Sequence, residues 1–82
     1  SMMMFKIMSI PNADKFFSVV EHSKGNVFLR LPDNSQCDLK RDRTARQLLQ
    51  TMRPGREGLC IALSDPQDFP EFFRFMMEAD DA

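Results

Sequence analysis

The sequence predicts an α+β fold: an open-faced sandwich in the order βαββαβα, with one four-stranded, mostly antiparallel sheet carrying three helices on one face. Three observations predict it. Apolar residues alternate with polar ones in four short segments, they recur at helical spacing in three longer ones, and Pro, Gly, Asn and Asp fall between these segments. Each helix has a single apolar stripe to bury, and one sheet covered on one face buries all three. The other face of the sheet then meets water.

The first strand is predicted over residues 3–10, ending at Pro11, with Phe5 and Ile7 buried and Lys6 outward. Asn12 is a good N-cap for the first helix, and Asp14 suits the positive end of its dipole. Ala13, Phe16, Phe17, Val19 and Val20 form its apolar stripe, and Gly25 is its stop, which sets the helix at 12–23. Residues 26–31 alternate, with Val27, Leu29 and Leu31 on one face. The "PDNS" at 32–35 is turn chemistry, and residues 36–40 alternate again with Cys37 and Leu39 inward, which makes a hairpin.

"RDRTARQLLQTM" is the second helix, capped by Asp42, with Ala45, Leu48, Leu49 and Met52 at i, i+3, i+4 and i+7. "RPGREG" breaks it, and residues 59–64 form the fourth strand. "SDPQDFPE" opens the last helix. Asp68 and Glu71 have capping-box spacing, and Pro70 is tolerated in a first turn. Phe69, Phe72, Phe73 and Met76 are its inward stripe, with Phe75 and Met77 off it, and the helix fades near Ala79 into an acidic tail at 80–82. Lys6, Phe28, Arg30, Asp38 and Lys40 are expected on the wet face of the sheet.

A chain of 82 residues is one domain, 1–82, with Ser1 read as a tag remnant. Its net charge of −1 favours no class of partner. No apolar run approaches the roughly 20 residues that span a membrane, and "MMMF" has no basic leader, so a cytoplasmic protein is expected. The two cysteines, Cys37 and Cys60, have no metal-like spacing and are expected to stay reduced as small hydrophobes. Charge is uneven along the chain. Residues 40–56 carry six cations against Asp42, and residues 57–82 carry seven acids against Arg74.

The element order, "PN" after the first strand, "KG" after the first helix, "LLQTM", "GLCIALS" and the apolar last helix together resemble the HPr phosphocarrier family of the bacterial sugar phosphotransferase system, over residues 5–79. The competing fold is a ferredoxin-like split βαβ with an added C-terminal helix, and sheet order separates the two. The family accepts phosphate on a His at the start of the first helix, with an Arg and a Pro following. The matching window here is Asn12, Ala13, Asp14 and Lys15, which has none of them. The resemblance thus implies the scaffold and argues against active phosphotransfer. Where the family carries a regulatory Ser, this chain has Asp42, either a phosphoserine mimic or an ordinary N-cap, and the cap is favoured. The family's partner surface maps onto Asn12, Lys15, Phe16, Asp42, Arg46, Leu49 and Arg53, although Phe16 and Leu49 also fit a core.

The residues themselves supply a second function class. Lys40, Arg41, Arg43 and Arg46 are a candidate anion site within the 40–56 basic region, as in a small nucleic-acid-binding module. Against it stand the net charge and the absence of Trp and Tyr. The one histidine, His22, suits the negative end of the first helix. The apolar excess on the last helix reads either as a broad core face or as a surface for a partner or a homodimer. No nucleophile triad, phosphate loop or zinc spacing is present, so no enzyme, cofactor or metal is expected. The leading expectation is a non-catalytic HPr-like protein that binds phosphotransferase-system or regulatory proteins.

Overall fold

The structure, a computed structural model, describes residues 2–81, with side chains through Glu78. The readings of Ser1 as a tag remnant and of residues 80–82 as an acidic tail lie outside what is described there. The elements are β1 (Met3–Ile7), α1 (Ala13–His22), β2 (Val27–Arg30), β3 (Gln36–Asp38), α2 (Arg43–Thr51), β4 (Leu59–Leu63), a 3-10 turn (Pro66–Asp68) and α3 (Phe69–Asp81). The fold is α+β, with three helices and a four-stranded sheet in the order β1-β4-β2-β3. Every pairing in it is antiparallel.

The register sorts side chains cleanly, because opposite residues in a ladder share a face. Phe5, Ile61, Leu29 and Cys37 form one row across the sheet. The next row, Lys6, Cys60, Arg30 and Gln36, points to the other side. Phe16, Phe17 and Val20 of α1, Ala45 and Leu49 of α2, and Phe72 and Phe75 of α3 join Ile7, Val27, Leu29, Ile61 and Leu63 in one buried cluster. Phe16 is the hub, with ring centroids 5.4 Å from Phe17, 5.9 Å from Phe72 and 5.7 Å from Phe75.

Local chemistry sets the element ends. Asn12 Oδ1 accepts the Lys15 amide at 3.0 Å, and Asp42 Oδ1 accepts the Thr44 amide at 2.9 Å, so both predicted N-caps are in place. β1 stops at Ile7 rather than residue 10, because Ile7–Leu59 is the last rung of its ladder with β4. Gly58, at φ 76°, turns the chain out of the sheet there, and a Cβ on it would lie 2.8 Å from the Ile7 carbonyl oxygen. β3 stops at Asp38 because Asp38 Oδ1 accepts the amides of Lys40 and Arg41, forming a turn where more strand was expected.

α3 departs most from expectation. Asp68 does not cap a helix at the surface. Asp65 caps the 3-10 turn by accepting the Gln67 amide, and Asp68 is buried. Its Oδ1 accepts the Lys24 amide at 2.8 Å and its Oδ2 the Gly25 amide at 2.9 Å, which ties the start of α3 to the turn after α1. The inward stripe also shifts. Phe75 is buried and Phe73 is 50% exposed, the reverse of the expected pair, because α3 packs on α1 as well as on the sheet and Phe75 faces Phe16.

Asp68→Ala leaves two amides without their acceptor at a part-buried corner. It is expected to lower unfolding stability by about 2–4 kcal/mol in a urea titration, with Asp68→Asn falling between it and the parent.

Candidate functional site

β1 ends early, so residues 8–11 leave the sheet beside the start of α1 and approach the segment that follows α2. Between them lies a cavity of about 440 Å³, lined mainly by Ile10, Pro11, Ala13, Phe17, Met52 and Pro54. The two prolines have no N–H to satisfy, so this rim presents few backbone donors. Leu48, one turn before Met52 on α2, is 38% exposed. Lys15 and Arg53 are exposed nearby in sequence.

The expected partner residues divide within this region. Lys15, Asp42 and Arg53 are exposed. Asn12 is exposed too, but its side-chain oxygen is engaged as a cap. Phe16 is 0% exposed and belongs to the core, and Leu49, 3% exposed, is a core residue that also lines the floor of this cavity.

Arg46 is a structural residue. Its Nε donates to the Leu39 carbonyl at 2.7 Å, one terminal nitrogen donates to the Lys40 carbonyl at 3.1 Å, and the other donates to Glu21 Oε1 at 2.8 Å. Its guanidinium also lies over the Phe17 ring, 5.1 Å from the centroid. The Arg46 hydrogen bond and charge hold the Glu21 carboxyl below its ordinary value of 4.5. Lys40, expected on the wet face, turns back instead. Its Nζ donates to the carbonyls of Ser23 at 2.6 Å and Gly25 at 3.1 Å.

Two of the four candidate anion-site residues are therefore engaged within the fold. Lys40 and Arg46 are committed to backbone carbonyls around the end of α1 and the start of α2. Arg41 contacts Asp38 at 3.9 Å and Asn26 at 3.4 Å, and Arg43 is exposed.

The remaining chemistry-bearing residues stay apart. His22 Nδ1 lies 2.7 Å from the Ser18 carbonyl, which requires the proton on that nitrogen. Cys37 and Cys60 are free, and they point to opposite faces of the sheet. Among the described residues there is no cluster of three or more His, Cys, Asp or Glu placed to hold a metal ion. No helix among them is long and apolar enough to cross a membrane. On the sheet face away from the helices, Arg30 reaches across β4 to donate to Met4 Sδ at 3.1 Å.

The groove beside Pro11 and Pro54 was not anticipated as a unit. Its signal was the pairing of a proline with apolar neighbours at two chain breaks far apart in sequence. No family model, curated protein or solved structure matches this chain.

Arg46→Ala is expected to lower stability by about 1–3 kcal/mol in denaturant unfolding, since two carbonyls and the Phe17 ring lose their partner. A carboxyl with a lowered folded pKa stabilises the fold above its unfolded value, and that contribution disappears as pH falls through the folded value. Glu21→Gln is therefore expected to melt below the parent at neutral pH and to match it under acid conditions, well below pH 4.5, in paired thermal scans.

Proposed function

We propose that this chain is a non-catalytic HPr-like interaction module, cytoplasmic, that docks a protein partner on the groove between the start of α1 and the end of α2. The groove itself carries the reading. It lies between the two helices to which the resemblance assigns the partner surface, and it is apolar and open. The partner chemistry that fits is an apolar side chain projecting from an acidic surface, since Lys15 and Arg53 flank the groove in sequence.

Sheet order supports the open-faced sandwich over the ferredoxin-like alternative. In a ferredoxin-like sheet the first strands of the two βαβ halves, here β1 and β3, lie side by side at the centre. In this chain they are the two edges. The window Asn12 to Lys15 has no imidazole to accept a phosphoryl group, and Asp14 would repel one. Asp42 acts as a cap, which favours an ordinary helix start over a phosphoserine mimic. The engagement of Lys40 and Arg46 in the fold weighs against a nucleic-acid module.

Immobilised protein is expected to retain a protein partner from a source lysate after nuclease treatment. Leu48→Asp and Arg53→Glu are each expected to lose it with an unchanged thermal midpoint. Retention that nuclease abolishes, or that neither substitution affects, would overturn the reading. Incubation with the phosphotransferase-system kinase and phosphoenolpyruvate is expected to leave the intact mass unchanged.

A further inference from the structure

The two edges of the sheet are unequal. β3 is a three-residue strand that runs straight into the Asp38 turn, and its residues Gln36 and Asp38 are polar, as protected edges usually are. β1 is five residues long, contains no proline, carries the single charge Lys6, and pairs only with β4. Alternate N–H and C=O groups along its outer side therefore have no sheet partner. A strand is the shape that satisfies them.

The apolar exposure gathers at the same edge. Met2, Met4 and Met8 are 39%, 51% and 54% exposed, and all lie in or beside β1. α3 lies over this strand, with the Phe5 ring 5.2 Å from Phe69 and 5.6 Å from Phe72. Its other flank meets α1 through Phe75 and Phe16. The flank away from α1 carries Phe73, tilted against Phe69 with ring centroids 5.9 Å apart and 50% exposed, and Met77, 47% exposed. A line of rings thus runs from the edge strand to an uncovered flank of α3.

We propose that β1 pairs edge to edge, antiparallel, with β1 of a second copy, joining two sheets into one of twice the width. The pattern is self-complementary, as a two-fold axis demands. With the axis at Phe5, Met3 faces Ile7 of the second copy and Met4 faces Lys6. No like charges oppose each other. Shifting the axis to Lys6 would place the two ammonium groups face to face, which disfavours that register. Opposite residues share a face, so both helical layers fall on the same side, and the Phe73 and Met77 flanks meet across the seam. This assembly is separate from the groove between α1 and α2 and leaves it open.

Sedimentation equilibrium of the full chain at rising concentration tests the pairing. The parent is expected to form a concentration-dependent dimer. Met4→Lys sets the new lysine against Lys6 of the second copy at both symmetric positions and is expected to weaken the dimer about fivefold or more. Adding Lys6→Glu to Met4→Lys restores opposite charges and is expected to recover the association. Phe73→Ser is expected to weaken it independently of the charge pair. Thermal melts of each variant check that the monomer fold is kept. A parent that stays monomeric, an association indifferent to Met4→Lys, or one abolished only by Leu48→Asp on α2 would each overturn the proposal.

Discussion

The amides of Lys24 and Gly25, where the chain turns from α1 into β2, are both accepted by the carboxylate of Asp68, more than forty residues further on. The rest of the packing hangs on that corner. The Asn26 amide next to it donates to Ser64 Oγ, and Lys40 Nζ takes the Ser23 and Gly25 carbonyls. The end of α1, the start of β2, the turn before α2 and the approach to α3 are thus held at one place. Gly25 is required there, because a Cβ would sit 2.5 Å from Ser64 Oγ and 2.9 Å from Asp65 Cβ. The corner fixes where α3 begins, and so which of its phenylalanines reaches Phe16.

A similar economy explains the basic stretch. Helix ends and tight turns leave carbonyl oxygens without intrahelical donors. Lysine and arginine reach such oxygens on long apolar stems and supply several donors each. Lys40 serves the exit of α1, and Arg46 serves the link from β3 to α2 while resting on Phe17. Positive charge in the sequence became internal scaffolding in the fold, and the surface keeps Arg41, Arg43, Arg53 and Arg56.

Element order was legible because two periods, of about two and about 3.6 residues, rarely imitate each other over whole segments. Asn12 and Asp42 were legible as caps because capping is a local bond, made within three residues. What escaped was long-range. Asp68 sat at capping spacing from Glu71, and nothing nearby in sequence announced that its partners were Lys24 and Gly25. Phe73 and Phe75 lie two positions apart on one helix, and only the place of α1 decides which is covered. The apolar groove needed two breaks, around Pro11 and Pro54, to meet in space. Phe16 and Leu49 were ambiguous for the same reason: an apolar residue on a stripe reads alike whether it fills a core or faces a partner.

The pairing of β1 with β4 joins the first strand to the last. A ribosome makes the chain from its N-terminus, so "MMFKI" emerges long before "LCIAL" exists. The β2–β3 hairpin can close on itself during synthesis, through the Leu31–Ser35 turn. β1 cannot, because its neighbour is still untranslated. β1, apolar but for Lys6, therefore waits in the nascent chain until β4 has been made. For that interval both of its edges are open to any other extended segment.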